Sequence, residues 1–439
     1  MSILAGYMLP HPPVAVPEIG KGEEKIIQKT LDGYDAVARD IAALAPETII
    51  LSSPHAPMYR DYFHIAPGSE AFGDFGPFGA PDVTFDIHYD TALRDAIVDL
   101  AEGEKFPAGT MGERTPSLTP DHGTLVPLYF IRRRYPNFKL VRLGLSGLSL
   151  EDHWHLGELI AKAVRQTGRR CVYVASGDLS HCQKADGPYG FHPQGPEYDA
   201  RLIDVMSQGD FEALLHFDPA FLDAAEECGH RSFTIMAGAL SGLSVTPQVL
   251  SHQNTFGVGY GTGIFRAEDP YVALARQTVE AYVKTGTLIA VPNGLPDAMT
   301  QNRAGVFVSI HERGQLRGCI GTFMPVYQNI ADEIIHNGAA AATEDPRFRP
   351  IAPAELPALD ISVDVLTTPE PVQSVDALDA KRYGVIVTNG ARRGLLLPDL
   401  DGVDTPAEQI AISKQKAGIR QDEPISLMRF EVVRHEALK

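Results

Sequence analysis

The sequence predicts a chain of two fused domains: an α/β layered domain with a mixed central sheet over residues 1–267, then a smaller α+β domain over 268–439. Three observations carry that expectation. Short β-rich runs alternate with amphipathic helical patterns through the first 267 residues, the pattern of a layered α/β domain. Around Ala267–Asp269 the texture changes, and a new amphipathic segment, DPYVALARQTVEAYVKTG, begins. The length of 439 residues, with 44% hydrophobic and 21% charged residues, is that of an ordinary globular chain large enough for more than one core.

In chain order, Ile3–Leu9 reads as a strand. Ile27, Leu31, Tyr34, Ala38 and Ile41 recur at helical spacing, and Pro46 stops that helix. Thr48–Ser53 (TIILSS) is a nearly continuous apolar run and reads as a buried strand; Val83–Tyr89, Lys139–Leu145 and Cys171–Ser176 are further strands. Helices are expected near 91–102, 123–133, 151–167 and 231–242, and a closing pair of strands over 247–266. Two stretches, 66–82 and 183–196, read as long loops, which in compact domains are functional lids or excursions. The second domain mixes strands at 305–312, 315–320, 359–366 and 384–388 with helices at 325–341 and 406–417.

Composition narrows the function classes. A net charge of −18 repels phosphate, which argues against nucleic-acid or anionic-membrane partners. No apolar run reaches the roughly 18–20 residues of a membrane span. The N-terminal MSILAGYMLPHPP lacks a basic leader and breaks at prolines, unlike a signal peptide. Cys171, Cys182, Cys228 and Cys319 form no CxxC pair, as expected of free thiols in a reducing cytoplasm.

The informative pattern is a set of histidines that close β-runs: His11 after YMLP, His55 after IILSSP, and His181 after VYVASGDLS. Ligands collect beyond the carboxyl ends of strands in open α/β sheets, so these three are expected to face one crevice. His122, in TPDHGTLVPL, opens a helix, and Glu226-Glu227-Cys228-Gly229-His230 stands before another. Neutral imidazoles with one carboxylate make the facial set used for non-haem Fe(II). Pro10, Pro12 and Pro54 stiffen the backbone beside two of these rings, as a ligand position requires. A further histidine outside the ligand set serves as acid or base, since its pKa lies near neutrality. The competing reading of each single histidine is a hydrogen-bonded structural residue. His153 and His155 sit two apart on a helix, on different faces, and do not share a metal.

The order H-P, S-P-H, D-H-G, G-D-L-S-H and E-E-C-G across residues 11–230 resembles the class III extradiol ring-cleavage dioxygenases and their relatives, the Memo-like proteins. The resemblance covers essentially all of 1–267. It implies that His11 and His55 hold the metal and that His181 is the acid/base that takes a proton from a catechol hydroxyl. It implies that His122 contacts substrate or the oxygen-derived group, and that Asp178 orients the GDLSH loop. The third ligand is left between adjacent residues. Glu227 is placed first, for Fe(II); Cys228 is second and favours Zn or Cu; Glu226 is third. The implied reactants are a small aromatic diol or aminophenol and O₂.

Gln315–Thr322 (QLRGCIGT), Asp345–Phe348 (DPRF) and Gly394–Asp399 (GLLLPD) together resemble the AMMECR1 domain over roughly 270–435. The two domains in one chain resemble the AmmeMemoRadiSam arrangement, which implies a radical-SAM partner protein. The candidates in this half are Arg317, Cys319, Asp345 and Arg347. Cys319 reads either as a nucleophile whose thiolate a neighbouring Arg317 favours, or as a small residue packed in a sheet. Arg317, Asp345 and Arg347 read either as an anion cleft or as an ion-paired network. Other readings of the whole chain are a metal-handling redox component without ring cleavage, or a non-catalytic scaffold; a homo-oligomer stays open.

Overall fold

The first unit is built on strands too apolar to face water. In the computed structural model, which describes residues 3–111, 119–292, 294–400 and 402–437, these are β1 (Ile3–Leu9), β2 (Thr48–Ser53), β3 (Lys139–Gly144), β4 (Cys171–Ser176), β5 (Ser244–Gln253) and β6 (Tyr260–Glu268). Every position of β1, β2 and β4 is buried, as in strands covered on both faces. The sheet order is β3-β2-β4-β1-β6-β5. The first four strands are parallel, and β6 runs antiparallel to both β1 and β5, so the sheet is mixed as expected.

Six helices of this unit concern the site: α1 (Gln28–Leu44), α2 (Thr91–Glu104), α3 (His122–Arg132), α4 (Leu150–Thr167), α5 (Gln194–Gln208) and α6 (His230–Leu240). Successive strand residues point to opposite faces. Tyr7, Leu9, Leu51 and Val174 pack with Tyr34 and Val37 of α1 and Leu125 of α3. Met8, Ile50 and Tyr173 pack with Ile97 of α2, Ile160 of α4, Leu202 of α5 and Met236 of α6. The α4–α6 contact is backbone to backbone. A methyl on Gly238 would meet the carbonyl of Trp154, and one on Gly157 the carbonyl of Ile235.

Two expectations need correction. The stretch 66–82 is largely a β-hairpin, Glu70–Phe75 with Ala80–His88, turning through Gly76–Phe78. The expected strand at 83–89 therefore belongs to this hairpin and not to the central sheet. The alternating burial of Glu70–Phe75 explains the error, because one face packs on the unit while its Gly and Pro content mimics a loop.

A second compact unit runs from Asp269 to Ala437. The Asp269 carboxylate caps its first helix, α7 (Pro270–Thr285). The strands β7 (Val306–Glu312), β8 (Gln315–Gly321) and β9 (Leu359–Leu366) are joined by β14 (Val432–His435) in the order β8-β7-β9-β14. A second sheet holds β10 (Glu370–Val372), β11 (Gly384–Asn389), β12 (Arg392–Leu396) and β13 (Ser426–Phe430), in the order β10-β13-β11-β12. Helix α8 (Ile330–Thr343), starting later than the expected 325, packs with α7 on the first sheet, and α9 (Pro406–Lys416) packs on the second. Among the described residues no helix is long and apolar enough to cross a membrane.

The α4–α6 contact gives a test with opposite signs. Gly238→Ala is expected to lower stability by about 1–3 kcal/mol, because overpacking against a backbone oxygen outweighs the helix propensity gained. Gly103→Ala, in α2 with open space around it, is expected to raise stability by roughly 0.5–1 kcal/mol. Urea midpoints at constant slope measure both.

Candidate metal centre

The parallel register delivers the site. Leu9 pairs with Ser176, and Ser52 with Ala175, so β1, β2 and β4 end level at one edge of the sheet. His11 follows β1 by two residues, His55 follows β2 by two, and Asp178 follows β4 by two. The His11 Nδ1 lies 3.0 Å from Ser176 Oγ, and that hydroxyl donates to the Gly123 carbonyl at 2.6 Å. A serine hydroxyl has one proton, already spent, so His11 Nδ1–H is the donor and Nε2 carries the lone pair. That Nε2 lies 3.0 Å from His55 Nε2 and 3.7 Å from Cys228 Sγ. The three donor atoms stand within 4.8 Å of one another, with His11 buried, Cys228 half-buried and His55 exposed.

The surrounding groups complete a cluster. The Asp178 carboxylate accepts the His11 backbone N–H at 2.8 Å and lies 3.9 Å from His11 Nε2. The Asp178 N–H donates to Cys228 Sγ at 3.3 Å. The His122 ring is 4.1 Å from the His55 ring, centroid to centroid, and 5.4 Å from His11. Asp121 caps the His122 helix and accepts from the Ser53 hydroxyl at 2.5 Å. His181 donates Nδ1–H to the Glu226 carbonyl at 2.6 Å, leaving Nε2 as an acceptor, and its ring meets Tyr189 edge-on at 5.0 Å.

Glu227, placed first by sequence for the third ligand position, is corrected by the geometry. Its carboxylate accepts the His230 N–H at 2.5 Å, at the start of α6, and is not among the grouped donors. Cys228 supplies the third atom. Glu226, the last alternative, turns into the left-handed region (φ 49°) as the preceding short helix ends, and uses its carbonyl on His181.

Burial sets the electrostatics. It pushes His11 well below the ordinary imidazole range, with the neighbouring rings of His55 and His122 adding to it. His55 is lowered for the same first reason, and His122 falls to about 4 through burial and then His55. Burial raises Asp178, against the His11 N–H and the imidazoles, and raises Cys228 well above its usual value, with Asp178 and Glu227 adding. Glu227 is pushed up to about 7 by burial. The site thus presents a neutral His11 whose Nε2 lone pair faces His55 Nε2 and the Cys228 thiol. The donor set fits a single cation: two nitrogens each about 2.1 Å from one ion at a right angle would stand about 3.0 Å apart.

In the second unit the four candidates separate. The Arg317 guanidinium turns to Glu355 at 2.8 Å and the Arg349 carbonyl at 2.8 Å, away from the thiol it was expected to favour. Arg347 pairs with Asp345 through Nε at 2.9 Å and Nη2 at 2.7 Å, and Asp345 also accepts the Cys319 N–H at 2.9 Å. These are ion-paired anchors, not one cleft of three charges. Cys319 has Arg347 as its neighbouring guanidinium, yet burial raises its thiol pKa.

Ser176 and Asp121 escaped the sequence reading. The available signals were a polar residue closing an apolar strand and the aspartate of DHG at a helix start. Phe78, whose ring meets His122 at 5.3 Å, lies in the stretch taken for a loop.

Residues 5–263 match the family model described as the catalytic LigB subunit of aromatic ring-opening dioxygenase, and residues 272–436 match AMMECR1. A protein of Clostridium acetobutylicum is 40% identical over 99% of this chain and 100% of its own length. A Thermotoga maritima protein is 49% identical over 38% of this chain and 98% of its own. The 2-aminophenol 1,6-dioxygenase beta subunit of a Pseudomonas species is 27% identical over 60% of this chain and 92% of that subunit.

The lowered imidazoles predict an acid limb of stability. His64, His122, His153 and His230 are each held near 4 by burial, against an ordinary 6.5, and His11 and His55 are lowered too. Between those values the unfolded chain takes up protons that the folded one refuses, so stability falls as pH drops through the window. The raised carboxyls of Asp178, Asp199 and Glu227 act the other way but are fewer. The melting temperature of metal-free protein is therefore expected to fall between about pH 7 and about pH 5. A flat calorimetric profile would rule the neutral cluster out.

Proposed function

Starting from a chain that belongs to the LigB family and carries a unit matching AMMECR1, we propose that the first unit is a metal-dependent oxidoreductase of the extradiol type. Its ion is held by His11, His55 and Cys228. Its substrate is a small aromatic with adjacent oxygen or nitrogen donors, opened with O₂. The observation that carries this reading is the grouping of three donors within 4.8 Å, with the rings of His122 and His181 outside the set. The likeness to the 2-aminophenol 1,6-dioxygenase beta subunit supports the substrate class.

When bound, Fe(II) supplies Lewis-acid polarisation and a template for substrate and O₂. The chain's own residues do the rest. His181, its Nδ1 proton committed to Glu226, accepts a substrate proton at Nε2. His122, neutral with a pKa near 4, offers a hydrogen bond without adding charge. Asp178 holds the His11 backbone, and Phe78 and Tyr189 present apolar ring edges to His122 and His181. The joined units also support a radical-SAM protein as a partner outside this chain.

Cys228 favours a second reading. A thiolate in the third position prefers softer ions such as Zn(II) or Cu(I) over Fe(II). The unit is then a Memo-like metal-handling or redox component that opens no ring.

The experiment loads anaerobic full-length protein separately with Fe(II), Zn(II) and Cu(I), adds catechol or 2-aminophenol, and admits O₂. The first reading expects coloured ring-opened product from the iron form, and a loss of about 10²-fold or more in His181→Ala. One bound iron without turnover, beside tight Zn(II) or Cu(I) binding that shields Cys228 from alkylation, establishes the second. Under either reading Ser176→Ala is expected to weaken metal binding by about 10–100-fold, because His11 loses the partner that fixes its tautomer. Competition against a chromophoric chelator measures it.

A further inference from the structure

The first sheet of the second unit has two faces of different chemistry. Along β7, Val306, Val308 and Ile310 are buried in the core under α7 and α8, and alternate Phe307, Ser309 and His311 face the other way. Register carries that polar face across three strands, since Ser309 pairs with Cys319 of β8 on one side and with Ser362 of β9 on the other. Gly318, the neighbour of Cys319, is pressed on the opposite side against the Ala341 carbonyl of α8. The thiol is thereby turned from the core into a cavity of about 880 Å³, whose far wall includes Leu395, Leu396 and Leu397 and to which Lys416, the last residue of α9, contributes.

Three cations, Arg347, Lys416 and Arg434, and three acidic groups, Asp364, Asp399 and Glu436, line this cavity, and among them Lys416 is the one without a partner among the described residues. Arg347 is paired with Asp345, Arg434 with Asp364 at 2.8 Å, and Asp399 stands 3.7 Å from Lys381. Glu436 borders the cavity and is also engaged. Lys416 makes no hydrogen bond or ion pair among the described residues. Burial lowers its pKa and the Arg347 charge lowers it further, with Cys319 opposing. An ammonium close to a guanidinium, without a carboxylate of its own, is relieved by an anion placed between them. Ser309 donates its hydroxyl to Cys319 Sγ at 3.3 Å, so the thiol floor is polar, whereas Phe307 and the leucines make the walls apolar.

We propose that this cavity is a binding site for a small organic carboxylate, its charge held by Lys416 and Arg347 and its apolar part set against Phe307 and Leu395, with Cys319 at the floor. The site lies wholly within the second unit and is independent of the metal-centre reading.

The test uses Cys319 as a built-in reporter. On the full chain, alkylation by iodoacetate, itself a carboxylate, is compared with alkylation by neutral iodoacetamide, each rate divided by that reagent's rate with glutathione. In both reactions the sulfur–carbon bond forms, iodide leaves and the thiol proton passes to solvent. Peptide mass spectrometry reads Cys319 separately from Cys171, Cys182 and Cys228. The normalised preference for iodoacetate is expected to be about tenfold, through local concentration of the anion. It should disappear in Lys416→Gln and persist in Lys416→Arg. Millimolar benzoate should slow both reagents, and ligand-observed NMR should detect benzoate on the wild-type chain and not on Lys416→Gln. Equal normalised rates, a preference that survives Lys416→Gln, or absence of benzoate binding would each overturn the proposal. Protection by inorganic phosphate as strong as by benzoate would overturn its assignment to an organic acid.

Discussion

The candidate metal centre depends on one constraint, the parallel alignment of β1, β2 and β4 that brings three chain segments level at the sheet's carboxyl edge. Leu9 opposite Ser176 is the decisive pairing. It seats the residue that follows β1 by two beside the hydroxyl that ends β4, and so creates the His11–Ser176–Gly123 chain. Side chains alternate across a sheet, and a slip of one residue would send Tyr7 and Leu9 to the face that Met8 now occupies. Because these strands are buried on both faces, such a slip also disrupts two cores. The register that packs the domain is therefore the register that aims the imidazoles.

Around that edge the buried polar groups satisfy one another, which the low local dielectric demands. Asp178 serves two ways: its carboxylate takes the His11 N–H and its own N–H supports Cys228 Sγ. The cluster is neutral at its imidazoles and unfavourable for two anions at once, since burial raises both Asp178 and Cys228 and the Asp178 charge raises Cys228 further. A cation between the three donors reverses that balance, because a coordinated thiol gives up its proton outright. The electrostatic strain of the cluster and the metal affinity proposed for it are the same property.

Much of this was legible in the residues. Strand-closing histidines beside prolines pointed to His11, His55 and His181, because a polar ring at the stiff end of an apolar run has little use in packing. His122 opening a helix was readable from DHG. The choice between Glu227 and Cys228 was not, because it turns on a backbone detail without a sequence mark. The left-handed Glu226 ends one helix and rotates the residues after it, so that Glu227 meets the first turn of α6 and Cys228 faces the crevice. Arg317 failed for a different reason. Its partner Glu355 lies 38 residues away, a distance over which local pattern says nothing. The hairpin at 70–88 was hidden by Gly and Pro, though its alternating burial follows the strand period.

The two half-buried thiols show how far neighbours, more than the residue itself, decide chemistry. Burial raises the pKa of both Cys228 and Cys319, so neither rests as a free nucleophile. Cys228 faces the lone pair of His11 Nε2, in a group of three donors that could hold a cation. Cys319 receives a hydrogen bond from the Ser309 hydroxyl and shares its cavity with Arg347 and Lys416, the setting proposed above for an anion. One sulfur sits among electron-pair donors, and the other shares a cavity with paired cations and carboxylates, an unpaired lysine and a hydroxyl donor. On the readings proposed above, that difference makes the first unit a site for metals and the second a site for acids.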